Sequence, residues 1–540
     1  MSTRSLFGVL SLLFAATGAL CAAEAELKYG DTVVRYVAEA PEGVAPAATA
    51  DPARQVGLIL CFPEHDRPTG DEILPVREAL KRMGVRDQYV LVGVHPQERK
   101  FGPKDHEPIA RMIAWAKQTY PVNPRRVYLY GKGEGNKISG EVAMANPKVI
   151  TAAMTYSWGW WRMPSELTEA IDAENSAPEF YMVLGLRDLS YHLTTVRDTY
   201  ARVSAKGYKI IYREFADLGA RTYHQPSNDD GIGWMTRLRN KNLPLSPGEQ
   251  KLLANPTINA NGYYGGLALV GGAPAGPAVE KLLASPDANV RAAAAETCRH
   301  AIFREQTMQP LGKLLTDPSP KVRSVATRAL AWNANWRSQA AQTAIVDFLS
   351  QPEKAVSEED RVAAADALIY AIRLQRNGAR QDIALFRTLV ALLEDKNEEL
   401  RTMASNTLMT IRDPEFRGDL GRPEQKAPEG GWQNWLEQVS VQALGYRKDY
   451  EVCGNKPAGD EAVAAFCAGG AARQPAAAFQ HTLKAAEAGY VPAQNAVALM
   501  YANGKGTEQN YAEAAKWWMK AAEAGHLQAA FHVSMVYRGG

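Results

Sequence analysis

Cysteine is scarce: 540 residues hold five, and no cluster of Cys and His has zinc-ligand spacing, so no metal site is expected. An excess of charge of one sign is missing too. The 61 Lys and Arg against 59 Asp and Glu leave a formal net charge of +2, too little for a polyanion-binding face, and nucleic acid is excluded as an expected partner. With 22% charged and 46% hydrophobic residues the chain also lacks the composition of intrinsic disorder. Beyond residue 23 no apolar run approaches the ~18 residues of a membrane-spanning helix, so no span is expected after removal of the leader. At about 150 residues per domain, three or four domains are expected rather than one compact enzyme.

What is present begins with an export signal. Arg4 gives a short basic start, Leu6 to Leu20 form an apolar run, and Cys21-Ala22-Ala23 supplies small residues before the acidic stretch from Glu24. This is the anatomy of a cleavable leader, so residues 1–23 are read as a signal peptide and the mature chain as periplasmic or secreted. The other reading, a retained anchor helix, has a short run for a span. Export bears on the cysteines. Cys453 and Cys467 flank a short loop containing Pro457 and Gly459, and an oxidising compartment favours their pairing over two free thiols. Cys61, in an apolar strand, and Cys298, on the inner face of a helix, read as small buried hydrophobes.

Residues 24–254 alternate short β-rich runs with amphipathic helices. Strands are expected at Thr32 to Val37, Val56 to Phe62, Tyr89 to Val94, Val127 to Tyr130, Ala152 to Ser157, Phe180 to Leu184 and Lys209 to Phe215. Strand and helix in regular order predict a mainly parallel sheet covered on both faces. Residues 255–276, rich in Gly, Asn and Pro, read as a linker or extended wrap.

The chain then turns helical and repetitive. Leu282-Leu283, Leu314-Leu315 and Leu392-Leu393 each precede an arginine, at 291, 323 and 401, by eight residues from the second Leu, and Arg361 marks a fourth copy without the pair. Ala follows each arginine at +3 and Cys298, Leu330, Leu368 or Leu408 at +7, positions that share one helix face. The arginines are 32, 38 and 40 residues apart, the length of a helical hairpin that must stack to bury its apolar face. Residues 277–413 thus resemble HEAT repeats. Residues 414–470 connect them to a sharper repeat: Ala485-Ala-Glu-Ala-Gly489 recurs 36 residues on as Ala521-Ala-Glu-Ala-Gly525, with Ala493, Val497 and Tyr501 matched by Ala529, Val533 and Tyr537. Together with Tyr511-Ala-Glu-Ala-Ala-Lys-Trp517-Trp518, residues 471–540 resemble Sel1 repeats of the tetratricopeptide class. Val533 and Tyr537 have no obvious cover in the sequence, so a partner, or further chain, is expected to complete that face.

The chemistry-bearing pattern lies in the first domain. Val127-Tyr-Leu-Tyr-Gly131-Lys-Gly133-Glu-Gly135 is a strand running into Gly-x-Nuc-x-Gly and a helix, the layout of a nucleophile elbow. With Asn123-Pro-Arg-Arg-Val127 ahead of it, the segment resembles the polyhydroxybutyrate depolymerase and feruloyl esterase branch of the α/β-hydrolases. The nucleophile position, however, is Gly133. The resemblance implies an acid at Asp188, after the strand ending near Leu184, and a base at His224; the alternative is a hydrogen-bonded pair that only ties two loops together. Glycine has no oxygen to attack a carbonyl. Pro63 after the first buried strand lacks an N–H, which leaves the N–H of Glu134 as the remaining oxyanion donor. Tyr156, Trp158, Trp160 and Trp161 are expected over the carboxyl ends of the strands, lining a groove for a sugar or aromatic ester or else capping the core. Ser139 should lie about 9 Å down the next helix, out of reach, while Ser157 is the substitute nucleophile to consider.

The leading expectation is an exported scaffold or adaptor: a hydrolase-like domain without its nucleophile, followed by two helical repeat arrays that bind protein partners. No cofactor is expected. One alternative is an active carbohydrate- or polymer-ester hydrolase with a rearranged nucleophile; another is a sensor that holds a small ester or glycan in the vacated pocket.

Overall fold

A computed structural model of the chain describes residues 24–29, 32–44, 55–63, 73–98, 101–156, 178–185, 208–215, 224–336, 338–351, 357–373, 383–411, 430–434 and 474–524, with a few single residues between and after these spans. Eight strands are present among them: β1 (Glu24–Tyr29), β2 (Thr32–Glu39), β3 (Val56–Phe62), β4 (Tyr89–Val94), β5 (Val122–Lys132), β6 (Ala152–Tyr156), β7 (Glu179–Gly185) and β8 (Ile210–Phe215). They form one sheet in the order β1-β2-β4-β3-β5-β6-β7-β8. Pairing from β4 to β8 is parallel, and β2 runs antiparallel to both β1 and β4.

The expected strands are all present. β1 is an addition, an edge strand on which Glu26 and Lys28 are exposed while Ala25, Leu27 and Tyr29 are half-buried. Such alternation is too short to stand out in sequence. The central strands read as unbroken apolar runs because both faces are covered: Leu58, Leu60 and Phe62 of β3 enter one core, Ile59 and Cys61 the other. On the first face lie α2 (His106–Thr119) and α3 (Glu134–Ala145), contributing Ile109, Met112, Ile138 and Val142. On the second lie α1 (Leu74–Arg82) and α4 (Gln225–Arg237), contributing Val76, Leu80, Ile232 and Trp234.

Of the segment expected as a linker, 255–276, residues 255–262 run irregular and largely exposed, but from Tyr263 on it is built into the core. After α5 (Pro247–Ala254) come α6 (Gly265–Val270) and α7 (Gly272–Leu283). Tyr263, Tyr264, Leu267 and Val270 are buried with the repeat helices, and the Tyr264 N–H donates to Thr297 Oγ1 at 3.0 Å. Glycine and proline depress intrinsic helix propensity, and here burial against neighbouring helices overrides it; Pro274 falls in the first turn of α7, where its missing N–H costs nothing.

The repeats continue as α8 (Ala288–His300), α9 (Met308–Lys313), α10 (Pro320–Asn335), α11 (Gln339–Leu349), α12 (Glu358–Arg373), α13 (Ile383–Leu392) and α14 (Glu398–Ile411). All eight predicted inner residues, from Ala294 and Cys298 to Ala404 and Leu408, are at most 1% exposed. Burial pushes the Cys298 thiol far up, which leaves it a packing atom rather than a nucleophile. The recurring arginines have two tasks. Nη1 of Arg291, Arg323 and Arg401 donates to backbone carbonyls five and six residues earlier, at 2.7–3.3 Å. Arg291, Arg323 and Arg361 also pair with Asp317, Asp360 and Asp395 of the following repeat, which forms a ladder between hairpins.

A separate helical group follows: α15 (Pro475–Glu487), α16 (Val491–Asn503) and α17 (Tyr511–Glu523), each packed on the next. Ala485 and its repeat mate Ala521 are both fully buried. Gly504 ends α16 at φ 62°, a left-handed cap. Trp518 stacks on His532 with ring centroids 4.5 Å apart, and Trp517 carries Lys520 over its face at 5.0 Å.

The ladder makes the repeats acid-sensitive. The hydrogen bond from Arg291 holds the Asp317 carboxyl below its usual range; at Asp395 burial pushes upward, but the hydrogen bonds from Arg361 and the Asn397 N–H, with the charges of Arg361 and Arg401, together outweigh it. A folded-state value below the unfolded one, about 3.9 for Asp, gives stability that is complete above that pH and is lost as pH falls through the lower folded value. Asp317→Asn should therefore flatten the acid limb of the unfolding curve below about pH 4, read by far-ultraviolet ellipticity. An acid limb identical to that of the unaltered chain would count against the ladder.

Candidate active site

In an open α/β sheet, ligands bind at the carboxyl ends of the strands where the strand order reverses. Here β4 lies on one side of β3 and β5 on the other, so the position where such sheets bind ligands lies above the ends of β3 and β5, where Pro63 and Gly133 stand. Gly133 has φ 57° and ψ −121° and joins β5 directly to α3. This is the sharp strand-to-helix turn expected of an elbow, in a backbone region that a side-chain-bearing residue occupies only under strain.

The neighbouring glycines are required by packing. A Cβ on Gly131 would lie 2.3 Å from the Gly135 carbonyl oxygen and 2.5 Å from Ser139 Oγ, and one on Gly135 would lie 2.3 Å from the Phe62 carbonyl oxygen. Helix α3 is thus pressed against β3 and β5 with no room for a methyl group. The turn is pinned at both ends: the Gly133 N–H donates to the Tyr156 carbonyl at 3.3 Å and the Asn136 N–H to the Gly133 carbonyl at 3.1 Å. The buried Asn136 side chain accepts from the Tyr156 N–H at 2.6 Å, locking the end of β6 to α3. Glu134 is the first residue of α3, and its N–H belongs to the first turn that a helix leaves for outside acceptors.

His224 caps α4. Its Nδ1 accepts from the Ser227 N–H at 3.3 Å, while its carbonyl accepts from Ser227 Oγ at 3.0 Å and Asn228 Nδ2 at 2.8 Å. Ser227 Oγ also lies 3.1 Å from the Tyr156 hydroxyl, whose O–H it can accept, and the Tyr130 hydroxyl donates to Asn228 Oδ1 at 2.8 Å. These contacts set the start of α4 over the carboxyl ends of β5 and β6. The structure therefore brings Gly133, Glu134, Tyr156 and His224 to one edge of the sheet. Asp188, Trp158, Trp160, Trp161 and Ser157, with Cys453 and Cys467, lie outside the described residues. Ser139 is fully buried, its hydroxyl donating to the Asn136 carbonyl at 2.9 Å, so it is occupied by the helix that carries it. His106 reaches Glu141 at 3.3 Å on the neighbouring helix α3. No group of three or more metal-ligating side chains occurs among the described residues.

Sequence reasoning passed over the most connected polar group near the site. Asp230, one and a half turns along α4 from His224 and 3% exposed, accepts from the Tyr181 hydroxyl, from Asn335 Nδ2 at 2.6 Å and from Trp336 Nε1 at 3.0 Å, with Arg213 Nε at 3.5 Å. With this carboxylate beside it and burial as the main cause, the Tyr181 phenol is pushed well above its usual range, so it stays a donor. The available signal was Arg213 itself, a cation inside the apolar run Ile210-Ile-Tyr-Arg213.

Residues 275–369 match the family model of HEAT repeats. No curated protein matches the chain. Solved structures similar to it include a thermostable esterase, 15% identical over 40% of this chain and 63% of that one, TM-score 0.32. A ferulic acid esterase is 11% identical over 40% of this chain and 97% of that one, TM-score 0.33. The S-formylglutathione hydrolase of Staphylococcus aureus is 12% identical over 40% and 96%, TM-score 0.29. The chain thus spans under two thirds of the thermostable esterase.

Placing a side chain on the elbow restores the strain that glycine removed. Gly133→Ala should lower unfolding free energy by about 1–3 kcal/mol, measured by urea titration; an unchanged midpoint would show that the turn is relaxed.

Proposed function

We propose that this chain is an exported multidomain scaffold or adaptor, in which an α/β-hydrolase-like domain without a nucleophile is followed by HEAT-like and Sel1-like surfaces for protein partners. One observation carries the reading: the elbow turn is kept in full backbone detail, and Gly133 stands where the attacking oxygen belongs. In the subtilisin case, loss of the nucleophile costs about six orders of magnitude in turnover, beyond what an acid and a base repair. Two features deepen the loss. In a working triad Nδ1 of the histidine donates to the acid, whereas Nδ1 of His224 faces the Ser227 N–H at 3.3 Å. Pro63 also removes a backbone donor from the oxyanion side.

The leader at residues 1–23 supports export, and the Ala485/Ala521 repeat supports the Sel1-like assignment. HEAT repeats in general serve protein interaction, which supports the adaptor role.

The test is hydrolysis of nitrophenyl acetate by the purified full-length chain. No turnover above buffer is expected, and none from Gly133→Ser, because His224 and Pro63 remain unsuited to the chemistry. Turnover by the unaltered chain that disappears in His224→Ala, or fluorophosphonate labelling at Ser157, overturns the proposal in favour of an active hydrolase.

A further inference from the structure

A buried helix end must find donors for its last four carbonyls. Among the described helices where the repeats begin, two such ends are fully accounted for, and arginines of the α/β domain supply half of the donors. At α6, the Gly271 N–H takes the Leu267 carbonyl at 2.8 Å, Arg239 takes those of Ala268 (2.8 Å) and Leu269 (2.7 Å), and Arg125 takes that of Val270 (3.1 Å). At α10, the Trp336 and Ser338 N–H groups take the carbonyls of Trp332 and Asn333, Gln342 takes that of Ala334, and Arg213 takes that of Asn335. At α8, between them, Arg237 donates to the Arg299 carbonyl and Asn333 to the Cys298 carbonyl.

Arg125 is in β5, Arg213 in β8, Arg237 at the end of α4 and Arg239 two residues beyond it. Three of these side chains are buried, and each meets a carboxylate or a set of backbone carbonyl oxygens, although Nε and Nη1 of Arg213 make no hydrogen bond among the described residues. Arg125 pairs with Glu249 at 2.8 Å and Arg213 with Asp230; Arg239 is ringed by carbonyl oxygens and the Tyr128 hydroxyl; Arg237 lies over the rings of Trp332 and Trp336 at 5.2 and 5.0 Å. Cations at helix carboxyl ends also meet the negative end of the helix dipole. One backbone bond, Ile302 N–H to the Arg237 carbonyl at 3.2 Å, crosses the same seam.

We infer that the α/β domain acts as the lateral cap of the helical repeats, terminating every second helix at their start through Arg125, Arg213, Arg237 and Arg239, and that the two regions open as one cooperative unit. Domains joined in one chain ordinarily move relative to one another, and repeat arrays ordinarily close with a capping repeat. This gives the domain a task that does not depend on turnover at Gly133, so the esterase assay can fail or succeed without touching it.

The experiment is hydrogen exchange on the full-length chain. In Arg213→Met and Arg237→Met, amides in the last turns of α8 and α10 should exchange at least about tenfold faster, while those of α15 and α16 keep their rates. A rise confined to β8 and α4 overturns the inference. Should a variant fail to fold, Asn335→Ala tests the seam from the repeat side, and acceleration is then expected in β8 and α4. In the unaltered chain under mild denaturant, amides of β5 and α10 should converge on one opening free energy; a sheet that opens while α10 stays protected overturns the inference as well.

Discussion

The structure rests on guanidinium groups placed against the carboxyl ends of helices. A sheet strand is a poor place for an arginine, because removing the charge from water costs several kcal/mol unless geometry and hydrogen bonds restore it. Arg213 and Arg125 are tolerated because helix carbonyls and a carboxylate meet them at once. The same contacts satisfy backbone oxygens that α6 and α10 cannot satisfy themselves. Each half of the seam thus removes the other's desolvation cost, and this mutual dependence makes the α/β domain and the first repeats one object rather than two joined by a tether.

Helix α4 stands between that seam and the candidate site. Its amino end carries His224, set over β5 and β6 by Ser227 and Asn228; its middle carries Asp230, and its carboxyl end Arg237. The packing that sets His224 in place is continuous with the packing that holds the repeats. The glycines tell a parallel story: Gly131 and Gly135 are fixed by contacts under 3 Å to any added Cβ, so the elbow keeps its shape for packing reasons whatever residue occupies its apex. Glycine at the apex then relieves the strain of a positive φ without disturbing the helix that follows.

Much of the architecture was legible because it is written in local periodicity. The parallel strands are apolar runs at βαβ spacing, and the repeat helices carry their inner Ala and Leu at +3 and +7 from a marker arginine. Gly133 was legible because a turn needing positive φ leaves a glycine pattern around it. Other features were not. The short edge strand β1 has only half-buried alternation, and residues from Tyr263 to 276 have the composition of a linker while packing against the repeat helices. The partners of the marker arginines were invisible too: Asp317 and Asp395 lie six residues before the next marker, but Asp360 lies one before it, so no fixed spacing announces the ladder.

By itself the sequence determined the order of modules, the periods of their helices and strands, and the absence of a nucleophilic atom at position 133. These depend on residues near one another along the chain. Only the tertiary structure decided that Asp230 meets Asn335 and Trp336, that arginines from β5, β8 and α4 terminate repeat helices, and that His224 turns its Nδ1 to a backbone N–H. Each of these joins groups whose pairing depends on how layers are stacked, and burial alone turns such a meeting from a weak surface contact into a fixed one.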